Sequence, residues 1–379
     1  MSIFFLFIVF VYGGLHVYAF LRARIAFAFG PAAGAVLALF MLFMVFAPFL
    51  VRLLEQHDYE ASARAFAYIA YLWMAALFLF FCCSLVLDVA VLITRFAGWL
   101  SRSDFSAFLP SARTSVFASL GLSLALCVYG YFEARDIRTE HVRIETAKLP
   151  AGVDRLTIAQ ISDVHLGLII RGPRLAKMLD VVRAEKPDIF ISTGDLVDAQ
   201  INHLEGLAEQ LRAVRAPYGN YAITGNHEYY AGLLKALTFT REAGFLVLRN
   251  EAVEAGPITI VGIDDRTAVQ MKLGKPVLEK ELLEKLPRDR FTLFLKHQPR
   301  LEQSSIGLFD LQLSGHTHRG QIFPFTLVVR LIFPTIAGDY DLGKGSLLHV
   351  SRGTGTWGPP IRFLAPPEVT VIELVRKGV

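Results

Sequence analysis

Five short stretches of the chain hold side chains that bind cations. They read SDVHLG at 162–167, GDLVD at 194–198, GNHEYY at 225–230, KHQP at 296–299 and GHTHRGQ at 315–321. Together they supply Asp163, His165, Asp195, Asp198, Asn226, His227, His297, His316 and His318. Mixed imidazole and carboxylate donors suit manganese, iron or zinc better than magnesium or calcium alone. Hydrolysis of a phosphate ester at neutral pH asks for such a set. The anion repels a nucleophile, and two divalent cations about 3.5 to 4 Å apart neutralise its oxygens, align in-line attack and acidify a water. A carboxylate suits the bridge between them, having two oxygens and a negative charge.

Singly, each stretch has a plainer reading. DVH fits a surface loop, TGDLVD a turn with an aspartate cap, and Asn226 a helix cap. His297 alone fits a core or capping histidine, and the His316/His318 pair fits either a ligand pair or a turn. What joins them is their setting. RLTIAQI, DIFIS, YAIT, FTLFL and LQLS are apolar runs, and each delivers its polar residues at its C-terminal end. PRLAKMLDVVRAEKP has helical period and is stopped by Pro187; further helices are expected near 204–214 and 233–243. Strands alternating with helices indicate a layered α/β domain, whose sites lie at the C-terminal edge of the sheet. Five such stretches in order on one rim point to a binuclear metal centre.

The stretches resemble the five ordered motifs of the calcineurin-like metallophosphoesterases, over about residues 155–375. The segment GTGTWGPPIRF…PPE at 353–368 and the preceding apolar region are similar to the bacterial transmembrane branch of that family. The resemblance implies a four-layer α/β sandwich and two divalent metal ions. Asp163, His165 and His318 would hold one metal, Asn226, His297 and His316 the other, and Asp195 would bridge. His227 would face the phosphate and protonate or stabilise the leaving oxygen. Asp198 and Glu228 would orient ligand imidazoles. Glu228 stands where many members have Asp, and Arg319 where the branch often has Gly. Arg319 and Arg171 are candidate substrate contacts, with Arg352 and Arg362 further candidates. Asp264 and Asp265 lie outside the motif set and read as turn caps.

Hydrophobic residues make up 54% of 379, and the excess lies before about residue 133. A membrane-crossing helix takes about 20 mostly apolar residues, and four segments qualify, near 3–21, 25–51, 65–93 and 116–132. The expected layout is a four-helix transmembrane region at 1–134, a linker with a leading strand at 135–154, and the metallophosphoesterase domain at 155–379. Asp88 lies within the third span, with His16 as candidate partner. Cys82, Cys83 and Cys127 all lie in apolar segments, which gives neither a disulfide framework nor a cysteine zinc site. A net charge of +4 without a basic stripe argues against nucleic acid. The expected partners are the bilayer and a phosphate-containing, lipid-linked substrate; nothing in the sequence sets an oligomeric state.

The expected location is the bacterial cytoplasmic membrane. Lys and Arg near the span ends balance, and the arginines of the LRARI link tilt the domain outward. The apolar segment 322–337, broken by Pro324 and Pro334, is either a core strand or hairpin or an interfacial surface. The functional expectation is a membrane-anchored phosphodiester, phosphomonoester or pyrophosphate hydrolase, with UDP-2,3-diacylglucosamine as one candidate substrate from the resemblance. The alternative is a membrane sensor or scaffold that binds phosphate without turnover.

Overall fold

The computed structural model describes residues 3–202 and 204–378, with side chains described from residue 9 onward. The chain divides into two compact units: Met1–Phe132 with Gly358–Ile361, and Glu133–Trp357 with Arg362–Val379.

The first unit is built from helices α1 (Ile3–Phe27), α2 (Pro31–Gln56), α3 (Glu60–Ser101) and α4 (Ala112–Glu133). Three stretches are long and apolar enough to cross a membrane: Pro31–Gln56, Glu60–Ser101 and Ser106–Glu133, the last including α4. The expectation of four spans is therefore reduced to three among the described residues. The expected first span coincides with α1, whose opening side chains lie outside the described residues. The expected pairing of Asp88 with His16 is replaced by two others. Asp88 accepts from Arg22 Nη1 at 2.7 Å and from Tyr18 at 2.8 Å, while His16 Nε2 accepts from Trp73 at 2.9 Å. A guanidinium neutralises a carboxylate in an apolar phase, which a neutral imidazole does not.

The second unit is a sandwich of two six-stranded sheets. One has the order β1 (Arg138–Thr146), β12 (Glu368–Arg376), β2 (Arg155–Ile161), β3 (Ile189–Ser192), β4 (Asn220–Ala222), β5 (Leu246–Val247). The other has the order β10 (Gly338–Gly343), β11 (Ser346–Val350), β9 (Leu311–Ser314), β8 (Phe291–Leu295), β7 (Ile258–Gly262), β6 (Glu251–Ala255). Strand alternation splits the side chains between two cores. Leu156 and Ile158 of β2 join Ile189, Ile191, Leu293 and Leu313 between the sheets. Ala159, Ile161 and Phe190 point the other way, to helices α5 (Gly172–Ala184), α6 (Leu207–Arg212) and α8 (Leu233–Glu242). Helix α5 buries Leu175, Met178, Leu179 and Val182, the i, i+3, i+4, i+7 stripe of an amphipathic helix. On the far face of the second sheet, Phe294 and Val261 pack with Phe309 and with Leu283 of α10 (Glu279–Leu283). Two short helices complete the unit, α7 (Asn226–Tyr230) and α9 (Thr267–Gln270).

Strands β2, β3, β4 and β5 run parallel, as do β7, β8, β9 and β11. The loops holding the five motifs thus leave the C-terminal ends of parallel strands in both sheets. Segment 322–337 is not a strand or hairpin but holds helix α11 (Phe325–Ile332).

A buried ionic cluster joins the sheets through β11 and β12. His349 of β11 contacts Asp339 through Nδ1 at 2.7 Å, and Glu368 and Thr370 through Nε2 at 3.4 and 3.2 Å. Arg352 pairs with Glu368 at 2.7 Å and with Glu140. Burial alone would lower the His349 pKa, but the Asp339 and Glu368 hydrogen bonds and charges outweigh it and raise it to about 9. A folded value above the usual 6.5 means that the stability it contributes is complete below that pH and lost as pH rises through about 9. Thermal melts of the wild type should therefore fall between pH 6.5 and 9. His349→Gln should flatten that dependence while melting lower at pH 6; an unchanged slope in the variant would refute the assignment.

Candidate metal centre

Asp163, His165, Asp195, Asn226, His227, His297, His316 and His318 converge at the rim, and all but Asn226 and His316 are buried. Three donor groups form within 4.8 Å: Asp163 with His165 and His318, Asp195 with His297 and His316, and His165 with Asp195 and His227. Asp195 belongs to two of the three, so it stands between the sides of the site.

The loops are tied to each other rather than only to their own strands. Asp163 and His165 donate their main-chain N–H to the carbonyls of Gly194 and Asp195. His316 N–H donates across the sheets to both oxygens of Asp163, at 3.0 Å each. His227 N–H donates to Asp195 Oδ1 at 2.8 Å. Gly225 comes so close to Asp195 that a Cβ there would lie 2.1 Å from Oδ1, which no other residue tolerates. Asp163, His165, Asp195, His316 and His318 all have φ between 48° and 72°. Left-handed backbone costs a non-glycine residue roughly 1–2 kcal/mol, and such strain clusters where side chains must be aimed at one point.

The donor set fits cations. His297 Nδ1 donates to the Thr193 carbonyl at 2.8 Å, and its Nε2 lies 3.2 Å from Asp195 Oδ2; burial opposes a charge there, but the Asp195 charge and hydrogen bond hold the His297 pKa well above its usual value. His165 Nε2 and His318 Nε2 face each other at 3.1 Å. The amide oxygen of Asn226 is buried without a hydrogen-bond donor. Acceptors opposed to acceptors are unfavourable unless a proton or a metal lies between them. Burial, then the His227 charge, lowers the His165 pKa to about 3; burial and His297 lower His316 to about 4; burial and Arg362 hold His318 well below its usual range. Neutral imidazoles present lone pairs. Burial would raise Asp195, but His297 and His227 prevail and keep it ionised.

His227 differs from the other imidazoles. Its Nδ1 lies 2.9 Å from Asp198, and although burial opposes it, the charges of Asp195 and Asp198 raise its pKa to about 9. A protonated imidazole is a proton donor. Asp198 was expected to orient a ligand imidazole; the structure sets it against His227, with His165 Nδ1 farther away at 3.9 Å. Glu228, expected to orient an imidazole, hydrogen-bonds to main chain instead. It accepts from the N–H groups of Gly225, Asp195 and Leu196 at 2.6, 3.0 and 2.8 Å, because a Glu in a first helical turn reaches back to free N–H groups.

The arginine candidates separate by burial. Arg171 donates through Nε to the Gly167 carbonyl at 3.2 Å. Arg319 is half-buried, and its carbonyl accepts from Thr326. Arg352 and Arg362 are not exposed for phosphate contact. Arg352 is held by the Glu368 cluster, and Arg362 is fully buried, donating to carbonyls of Arg352, Gly353, Gly355 and Ala365. Asp265 accepts from Thr267 N–H at 2.9 Å, as a turn cap does, whereas Asp264 pairs with Arg249 at 2.8 Å instead. The spacing of the motifs did not reveal the aromatic wall around His227. Tyr230 and Trp357 place their rings 5.4 and 6.0 Å from His227, each half exposed. Gln321, the last residue of the fifth stretch, clamps Trp357 by exchanging two hydrogen bonds of 2.9 Å with its main chain.

A two-sheet α/β sandwich with ligand-type side chains around a shared carboxylate is the arrangement of a candidate divalent-metal site. The family model for calcineurin-like phosphoesterases matches residues 156–320. An uncharacterized metallophosphoesterase of Aquifex aeolicus is 41% identical over 68% of this chain and 99% of its own length. One from Helicobacter pylori strain J99 is 32% identical, over 78% and 81%. A Danio rerio transmembrane protein with metallophosphoesterase domain is 29% identical, over 72% and 66%. The chain belongs to the calcineurin-like metallophosphoesterase family, a family of metal-binding phosphoester hydrolases.

Metal analysis should find about two divalent ions per chain, and Asp195→Asn should hold less than half of that. Gly225→Ala should match it, because the added Cβ displaces the same carboxylate. Full metal content in both variants would refute a shared Asp195.

Proposed function

We propose that the protein is a membrane-anchored, metal-dependent phosphoesterase acting on a lipid-linked phosphodiester, phosphomonoester or pyrophosphate. The observation behind this reading is Asp195, one carboxylate common to two donor groups. In it Asp163, His165 and His318 would hold one ion, Asn226, His297 and His316 the other, and Asp195 would serve both. Manganese, iron and zinc suit those donors. When bound, the ions would neutralise phosphate oxygens and lower the pKa of an attacking water.

The chain's own residues do the rest. His227, charged at neutral pH beside Asp198, gives its proton to the leaving oxygen. Asp198 holds the imidazole through Nδ1, leaving Nε2 to act as the donor. Glu228 fixes the main chain of the Asp195 loop. Tyr230 and Trp357 shield the leaving group from water, and Arg319 offers a cation for a second anionic group. UDP-2,3-diacylglucosamine, cleaved at its pyrophosphate, is the specific candidate, and it places the domain in the cytoplasm. A domain outside the bacterial cytoplasmic membrane favours a phospholipid headgroup or a polyprenyl pyrophosphate instead.

With metal restored and a generic phosphodiester as substrate, His227→Ala should lower kcat by about 10²- to 10⁴-fold, and Asp195→Ala by at least as much. Equal turnover in all three proteins would end the enzymatic reading. A reporter fused to the C-terminus reads the side: cytoplasmic signal selects the nucleotide-linked lipid, and external signal removes it.

A further inference from the structure

Helix α11 has eight residues and buries none of them. Phe325, Leu327, Val328, Leu331 and Ile332 are all exposed, Leu331 at 86%. Thr326 and Val329, on the other face, are half-buried. A helix this apolar is normally covered by protein or lipid. It is also firmly joined to the candidate metal centre. Thr326 Oγ1 donates to the Arg319 carbonyl at 2.8 Å, and Gly320 comes so close that a Cβ there would lie 2.5 Å from Thr326 Cα. The ring of Phe333, next after the helix, lies 5.0 Å from that of His316, and the Arg300 guanidinium lies 4.8 Å from the Phe333 ring centroid.

We propose that α11 is an interfacial helix whose outer face lies in the headgroup–acyl boundary of the bilayer, holding the rim of the metal centre at the lipid surface. Two observations select lipid as the occupant. Among the described residues the chain has three stretches long and apolar enough to cross a membrane, and only four residues connect α4 to β1, which would tether the domain covalently to a bilayer. Residues 319–338 contain Arg319 and Arg330 and no acidic residue, which complements anionic headgroups. The proposal deepens the lipid-linked reading and rests on it for the substrate, but the contact with lipid is measurable without turnover.

The test uses the full chain with Cys82, Cys83 and Cys127 replaced by Ala, in nanodiscs of phosphatidylethanolamine and phosphatidylglycerol. A nitroxide at Leu331→Cys or Leu327→Cys should be broadened by oxygen and protected from a water-soluble nickel chelate. A label at Lys285→Cys, in the same domain, serves as the aqueous control. Labels at 327 and 331 that respond like the control would overturn the proposal. So would labels shielded from both reagents, the sign of a second copy or another protein on this face. In a separate arm, Leu331→Asp should lower turnover of a bilayer-embedded phosphodiester at least tenfold and leave a soluble one unchanged. Equal loss on both substrates would overturn the link between docking and turnover. Lipid contact without hydrolysis of either substrate by the wild type would instead count against the proposed function alone.

Discussion

The second unit is organised around a buried negative charge. Asp195 is 2% exposed, and a carboxylate removed from water must find positive partners or protonate. Its neighbours meet that demand from several directions: His297 from the second sheet, and the N–H of His227 from the start of α7. Gly225 is needed because only hydrogen fits between the loop and the carboxylate. One charge thereby dictates the closeness of two loops and the opposition of two sheets.

The cross-links between loops follow from the same demand. His297 is aimed by the Thr193 carbonyl, a group of the other sheet, and Asp163 is held by the N–H of His316. These two donors are positioned by segments other than their own. Single loops at the surface would move independently, whereas these share hydrogen bonds that have to break together. That bracing balances the left-handed backbone at Asp163, His165, Asp195, His316 and His318.

Much of this was legible in the sequence, since strand period and the residue types after each strand are local properties. Apolar runs at β2, β3, β4, β8 and β9 coincide with strands, and helices form at α5, α6 and α8 close to where period placed them. The partners of polar groups were not legible. His16 and Asp88 share an apolar region in the sequence, yet Asp88 pairs with Arg22 and Tyr18. Arg352 and Arg362 sit near a glycine-rich tail suited to phosphate, yet their charges are consumed by Glu368 and by main-chain carbonyls. Segment 322–337 offered strand or interface, and it forms a helix packed closely against Gly320 through Thr326.

By itself the sequence determined the inventory: a membrane-crossing region, a layered domain, and a donor set on strand ends. These depend on hydropathy, period and residue type, which are written locally. The tertiary structure decided the assignments: Asp198 against His227, Glu228 against the main chain, Trp357 and Tyr230 beside the acid, and Asp195 between two donor groups. Those depend on which loops meet when two sheets stack. Spacing along the chain says nothing of that meeting for partners as distant as Glu228 and Asp195 or His316 and Asp163, which lie 33 and 153 residues apart.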